Sequence, residues 1–316
     1  MARFVVRRVI GMVAVLFAIS VITFLIFNVI PNSDPAERIA GKRATPALVR
    51  EVREDWGFDR PLWVQYAEMM EKTLTGDLIS YTSRTNVVDE IVRGAPITFS
   101  LAIGAALIWM ALALAFGYLS AVRAGRLTDR ALTILALVGI SMPVFWLAAM
   151  LLYYLTYKVA LFPPGDYVPL TDNPADWAYH LLLPWLTLAV LFIGFYSRLL
   201  RSNMLDVMSE DHVRTARAKG LGEREVLRRH VLRNSLIPVV TLFGLDFGAV
   251  VGGGAILTET VYNLGGVGQY AAQSIGQLDL PPLMGITLFG AFFIVLLNAV
   301  VDILYAWLDP RIRLGR

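Results

Sequence analysis

Six long apolar segments dominate this sequence and restrict its fold more than any other feature. They cover roughly residues 9–30, 97–121, 131–160, 179–200, 236–257 and 283–308. About twenty apolar residues in a helix are enough to cross a bilayer. The mean hydropathy of +0.61 and the 57% share of hydrophobic residues are too high for a soluble domain of this length. We therefore predict an all-α integral membrane protein with six transmembrane helices.

The first apolar segment follows Arg3, Arg7 and Arg8. A cleaved signal peptide is the alternative interpretation, but the apolar run exceeds the usual hydrophobic region and no A-x-A site follows it. We predict an uncleaved transmembrane helix over residues 1–30, an extracytoplasmic segment over 31–96 and a five-helix core over 97–316.

Charge is distributed unevenly between the two faces of this predicted bundle. An even number of spans places both termini on one face, which carries eighteen Lys and Arg against seven Asp and Glu. The opposite face carries ten against sixteen. Because cytoplasmic loops have a positive excess, we expect both termini in the cytoplasm and residues 31–96 outside the inner membrane. The net charge of only +3 does not suggest nucleic-acid binding.

The stretch over residues 206–234 carries twelve charged side chains between two apolar segments. At roughly 2.5–3.5 kcal/mol for each charge at a bilayer centre, burying it in lipid would cost about 30 kcal/mol or more. The stretch must therefore lie in water. We predict a first short helix with Ser209 as its N-cap, Glu210 and Asp211 in its first turn, and Gly220 as a left-handed C-cap.

A second helix is predicted from about residue 223, with an apolar stripe formed by Val226, Leu227, His230 and Val231. Glu225 and Arg229 are four residues apart in the favoured orientation for an ion pair. A short amphipathic helix held outside the membrane by flanking spans is suited to docking into a partner's groove.

This stretch resembles the cytoplasmic "EAA" coupling loop of ABC-importer permeases. The family's general pattern is Glu-Ala-Ala, three residues, Gly, nine residues, then Ile-x-Leu-Pro. Here Arg214, Thr215 and Ala216 take the first three places and Gly220 the glycine, while Arg233 stands where the general pattern has proline. The Arg-Thr-Ala and His-x-Leu-Arg-Asn motifs are similar to those of the dipeptide, oligopeptide and nickel branch of this family.

The resemblance implies a type I ABC-importer transmembrane domain with a coupling helix between spans 4 and 5. It implies a permease subunit for di- or oligopeptides, with nickel chelates, glutathione or oligosaccharides as alternative cargo. Its partners would be a homologous second permease, two ATPases that bind ATP and Mg²⁺, an extracytoplasmic substrate-binding lipoprotein and membrane lipid. The coupling residues would be Ser209, Glu210, Asp211, Arg214, Thr215, Ala216, Lys219 and Gly220.

Other segments also resemble this family, and they are IPNSDPA at 30–36, GDL at 76–78, TETVYNLGGVG at 258–268 and VDILYAWLDPRIR at 301–313. The resemblance implies that residues 258–268 form a short re-entrant segment before the last span. In the 31–96 segment, Thr45-Pro46 and Pro61 each predict the start of a short helix. This segment is either a small packed cap or a docking surface for a substrate-delivery protein, and both interpretations stay open.

Residues for bond-making chemistry are missing from the sequence. There is no cysteine, the three histidines have no metal-ligand spacing, and no phosphate-binding loop or nucleophile with an adjacent base is present. We expect no cofactor or metal in this chain, so that ATP must be hydrolysed on separate subunits. A self-contained secondary transporter or channel is the alternative, but it predicts inverted repeats that we do not find.

Candidates for the transport path are the span residues that are unusual in a membrane helix. Pro143 interrupts the third segment, Asp246 is an ionisable residue in the fifth, and Gly248 and Gly252 continue a four-residue glycine spacing. Small residues at this spacing permit close helix packing, so the glycines have a packing interpretation beside a path or subunit-interface one. Asp302, near the inner end of the last span, is predicted to form a structural polar pair.

Overall fold

The computed structural model describes residues 2–29, 35–40 and 44–308. These residues fold almost entirely into helices, and the extended pairing within them is an isolated bridge between Ile79 and Asn86. The helices are α1 (Ala2–Val29), α2 (Pro35–Ala40), α3 (Pro46–Asp55), α4 (Leu62–Thr75), α5 (Val87–Val122), α6 (Leu127–Ser141), α7 (Val144–Lys158), α8 (Pro174–Met208), α9 (Asp211–Ala218), α10 (Glu223–Gly254), α11 (Ile256–Val261), α12 (Val267–Gln277) and α13 (Leu280–Leu308).

Five of these helices, α1, α5, α8, α10 and α13, are long and apolar enough to cross a membrane, and α6 with α7 makes a sixth span if the pair is counted as one. The predicted third span is not straight, because α6 and α7 meet at 99°. The break lies at Met142, which is extended (φ −81°, ψ 125°) ahead of Pro143. A proline ring disfavours the helical conformation of the preceding residue and removes a backbone donor, so the helix ends here.

Two helices begin well before the apolar segments that predicted them. α5 begins at Val87 because the side chain of Asn86 accepts hydrogen bonds from the backbone N–H groups of Val88 and Asp89. The expected boundary at residue 96 between outer segment and core therefore falls inside a helix. Similarly, α10 begins at Glu223 rather than near residue 236, because the charged end of a helix has no hydropathy signal.

The core of the bundle is the packing of α5 against α8. Trp109 of α5 is fully buried and stacks on Phe192 of α8, with ring centroids 4.4 Å apart. The indole N–H of Trp185 donates to the carbonyl oxygen of Ser100 at 2.9 Å. The Cα of Gly104 faces the same indole, where a side chain would overlap the ring. α1 lies at the edge of this core and packs on α13.

One end of the bundle carries a small cap formed by α3, α4 and the loop over residues 76–86. The predicted helix start at Thr45 is confirmed, since its hydroxyl accepts from the N–H of Leu48 at 3.3 Å. Asp279, just before α13, fixes the loop by accepting from Ser80 Oγ at 2.5 Å and from the N–H of Tyr81 at 3.1 Å. Burial raises the pKa of the Tyr81 phenol. The loop is therefore packed against the residue that precedes α13, whereas α3 has no buried side chain.

Candidate coupling loop and transport path

The first helix of the charged stretch is α9, and it ends in a left-handed turn. Gly220 has φ +82°, as predicted for a C-cap glycine. The N–H of Gly220 donates to the carbonyl of Arg217 at 2.9 Å, and the N–H of Leu221 donates to that of Ala216 at 3.4 Å. These two bonds form a Schellman motif, which satisfies carbonyls at the helix end. The prediction for the conformation of Gly220 is confirmed.

The N-cap prediction for Ser209 is wrong. Its hydroxyl donates to the carbonyl of Asp206 at 2.7 Å, and its backbone is helical, so that it closes α8. Glu210 takes the N-cap position of α9 without a side-chain cap bond. The physical reason is the length of α8, which continues to Met208 and uses Ser209 in its last turn.

A narrow apolar stripe attaches α9 to the bundle. Val213 is fully buried and Ala216 is 5% exposed, and both belong to one cluster with Val226, Leu227 and Val231 of α10. The predicted stripe on the second helix is confirmed for these three residues, whereas His230 is only half-buried. Ala216, predicted as a coupling residue, faces the protein itself and not the solvent.

The remaining faces of α9 are open to solvent. All the predicted coupling residues except Ala216 are exposed, and they are Ser209, Glu210, Asp211, Arg214, Thr215, Lys219 and Gly220. Arg214 and Asp211 lie within 3.5 Å of each other as a fully solvated pair, which adds little stability. The exposed surface of α9 is thus a small, mixed-charge face on a helix whose opposite side is anchored.

Two polar side-chain contacts fix α9 against α10. Arg217 binds the Glu223 carboxylate with two nitrogens, at 2.8 and 3.0 Å, across the Gly220 turn, and this contact raises the pKa of the Arg217 guanidinium. Asn234 Nδ2 donates to His212 Nε2 at 3.1 Å, with the histidine tautomer assigned from this network. The predicted Glu225–Arg229 pair is confirmed at 2.7 Å, although it lies along α10.

The second helix of the loop is not a separate element. It is the beginning of α10, with a π-helical stretch over Val226–Leu232 that runs directly into the apolar part. Packed side chains therefore join α9 to the end of a membrane-length helix. The loop itself is continuous with two long helices, α8 before it and α10 after it.

A buried ionic cluster that the sequence did not reveal lies at the same end of the bundle. Asp129 of α6 is 4% exposed and pairs with Arg201 of α8 through two bonds of 2.7 and 2.8 Å. The same carboxylate accepts from Ser120 Oγ and from the N–H of Gly125 at 2.8 Å. It therefore joins α5, α6 and α8. The two partners are far apart in sequence, and no local spacing indicates the pair.

The candidates for the transport path do not form one site. Gly248 and Gly252 face α13, where an added side chain at Gly252 would meet Ile294 and the carbonyl oxygen of Gly290 at 2.8 and 3.0 Å. The glycines therefore serve close helix packing within the chain. Asp246 is half-buried and accepts from Tyr196 Oη of α8 at 2.5 Å.

Pro143 lies at the break between α6 and α7. The side chain of Asp302 and residues 30–34 and 309–316 lie outside the described part of the chain, so the polar pair expected for Asp302 stays a prediction.

Glu259 is a buried carboxylate that sequence reasoning missed. It is fully buried in the hairpin of α11 and α12, and it accepts from Thr98 Oγ1 at 2.7 Å and from the N–H of Gln269 at 3.0 Å. The N–H of Val267 in turn donates to Thr98 Oγ1 at 3.0 Å. Glu259, ten residues before Gln269 in the chain, thus accepts from a free backbone N–H in the first turn of α12. The segment had been singled out by its resemblance, but nothing in it signals this burial.

Apolar membrane-length helices with an anchored amphipathic helix between two of them define a helical membrane protein with several spans. The chain belongs to the family of binding-protein-dependent transport system inner membrane components, whose model matches residues 113–314. The model of that family's N-terminal part matches residues 1–102.

Named relatives match along nearly the whole chain. A probable D,D-dipeptide transport system permease protein of Escherichia coli (strain K12) is 39% identical over 331 residues, covering 98% of this chain and 97% of the relative. A putative peptide transport system permease protein of Brucella abortus (strain 2308) is 36% identical over 314 residues, covering 99% of each. A glutathione transport system permease protein of Escherichia coli O6:H1 is also 36% identical, over 315 residues and 99% of each chain.

A solved structure supports the fold. A chain of the MetNI methionine ABC transporter, in an inward-facing conformation, superimposes with a TM-score of 0.54 at 16% identity and covers 69% of this chain and 96% of that chain. The fold is therefore that of a type I ABC-importer transmembrane subunit, as predicted.

Proposed function

We propose that this chain is one permease subunit of an ATP-driven importer for di- or oligopeptides. The anchored α9 helix is the observation that carries the proposal, because it presents a solvated face on a support that leads into two long helices. The peptide cargo is supported by relatives named for peptide and D,D-dipeptide transport. Glutathione, itself a short peptide, is the second candidate because of the relative named for it.

The energy for transport comes from partner subunits. ATP and Mg²⁺ bind to two ATPases, which contact the exposed face of α9 through residues such as Asp211, Arg214 and Thr215. Closure of the ATPases moves α9, and its packing on α10 passes that movement to the span. A homologous second permease completes the path.

The two ends of the bundle have different partners in this proposal. The basic end with α9 lies in the cytoplasm together with both termini, and the cap lies outside the cytoplasmic membrane. An extracytoplasmic binding protein delivers the solute to the cap end. The anchored loop at Asp279 gives that protein a fixed surface to contact.

Transport by the reconstituted complex tests this proposal. The permease would be co-expressed with the second permease and ATPases of its own gene cluster, placed in proteoliposomes, and supplied with the binding protein and a labelled dipeptide or tripeptide. We expect uptake that needs ATP, Mg²⁺ and the binding protein together. Uptake by this chain alone, without ATPases, would contradict the proposal.

A further inference from the structure

A large groove opens along the charged beginning of α10, beside the contact between Asn234 and His212 of α9. It has a volume of about 1130 Å³. Its lining includes Arg228, Arg229, Arg233, Ile237, Val240 and, from α13, Val301. One end of the groove is therefore cationic and the other end is apolar.

The change from a cationic to an apolar lining follows from two opposite stripes of residues along α10. Val231, Ser235 and Val239 are buried at four-residue intervals, which fixes one face of the helix against the bundle. The opposite face carries Arg229, Arg233 and Ile237 at the same spacing, all of them exposed. One helical turn, about 5.4 Å, thus separates a guanidinium position from an apolar one. This spacing matches the border between lipid headgroups and hydrocarbon.

The cations of the groove are only partly neutralised by the protein. Arg229 pairs with Glu225 at 2.7 Å. Among the residues that the structure describes, no carboxylate forms an ion pair with Arg228 or Arg233, and both are exposed. The apolar wall is also uncovered within the chain, since Ile237 is 52% and Val240 is 45% exposed.

We propose that this groove binds one anionic phospholipid. Arg228 and Arg233 bind the phosphate of the headgroup, and an acyl chain lies along Ile237, Val240 and Val301. Guanidinium groups bind phosphate oxygens with two donors, and basic pockets between membrane helices on the cytoplasmic side are suited to anionic headgroups. A small soluble anion would leave the apolar wall exposed to water. The chain's own residues 309–316 carry three arginines against one aspartate, so their charge does not match the groove.

Lipid retention by the purified importer complex tests the proposal. The complex would be delipidated in detergent, titrated with dioleoylphosphatidylglycerol or dioleoylphosphatidylcholine, and examined by native mass spectrometry. The test variant is Arg228→Gln/Arg233→Gln, and its matched control is Arg123→Gln/Arg126→Gln, which removes two exposed arginines from the same end of the bundle. We expect phosphatidylglycerol to bind in preference to phosphatidylcholine. Its affinity should fall about fivefold for each groove arginine removed, or about 30-fold for both.

Several outcomes would overturn the proposal. Equal binding of the two lipids by the unmodified complex is one, and unchanged phosphatidylglycerol affinity in the groove variant is another. Loss of the second permease or an ATPase from that variant would make the groove a subunit interface. If the double variant does not fold, Arg233→Gln alone is compared with Arg123→Gln by the rise in Tm on adding phosphatidylglycerol, and an equal rise in both contradicts the site. None of these readouts depends on solute uptake, so a failure here leaves the transport proposal intact.

Discussion

Replacement of Gly220 by proline tests how α9 is held. Gly220 has φ +82°, and a proline ring fixes φ near −65°, so the left-handed turn cannot form. The N–H that Gly220 donates to the carbonyl of Arg217 is also lost. A left-handed conformation costs an ordinary residue roughly 1–2 kcal/mol, and one hydrogen bond contributes about 1 kcal/mol. We therefore expect Gly220→Pro to destabilise the turn by about 3 kcal/mol.

The assay compares ATP-driven uptake with ATP hydrolysis in proteoliposomes. Gly220→Pro should reduce uptake at least tenfold, while the protein still inserts, because no atom lies within 4 Å of a side chain built at Gly220. Gly220→Ala should have an intermediate effect, since it keeps the N–H and incurs only the left-handed cost of roughly 1–2 kcal/mol. The control is Gly222→Ala, two residues away, where φ is −63° and nothing lies within 4 Å. Normal uptake by Gly220→Pro, or equal losses in both positions, would refute the reasoning.

Three further substitutions test the packing around the loop and between the spans. Ala216→Glu places a carboxylate in the buried stripe of α9 and should destabilise the loop by about 3 kcal/mol, which would be seen as faster proteolysis. The exposed Ala218→Glu should leave the rate of proteolysis unchanged. Equal rates in the two variants would contradict the packing of α9 on the bundle. Asp129→Asn leaves the Arg201 charge without its carboxylate and should lower Tm by several degrees. An equal decrease in Tm for the exposed control Arg130→Gln would contradict a stabilising role for the Asp129–Arg201 pair. Gly252→Val pushes α10 away from Gly290 of α13 and should lower the free energy of unfolding by about 2 kcal/mol or more. Gly276→Val, which has open space around it, should leave stability unchanged. Equal stability of the two variants would show that Gly252 is not closely packed.

The sequence predicted the parts of the fold that depend on composition along the chain. Each apolar segment became a helix or a bent helix pair, and the charged stretch formed α9 and the beginning of α10. The turn at Gly220 was also predictable, because glycine before a polar connection is a local signal for a left-handed end. The apolar stripe at Val226 and Leu227 followed from helical spacing.

Other features could not be predicted because their causes are non-local. The residues around Ser209 indicate an N-cap, but α8 is long enough to use Ser209 in its own last turn. The Asp129–Arg201 pair joins residues 72 positions apart. The buried Glu259 depends on a donor from a distant helix, Thr98 of α5, beside the N–H of Gln269. The 99° bend needs more than Pro143, since Pro96, Pro184 and Pro238 lie inside continuous helices.

Site-specific cross-linking measures the central claim directly, because the chain has no cysteine and a single one is easily introduced. The importer complex would carry Arg214→Cys on the exposed face of α9, or Arg84→Cys on the cap at the opposite end, and would be treated with a short thiol-to-amine cross-linker. We expect a cross-link from position 214 to an ATPase subunit and none from position 84. A cross-link from position 84 to the ATPase, or labelling of position 214 only by reagents outside the cell, would contradict the docking of ATPases on α9.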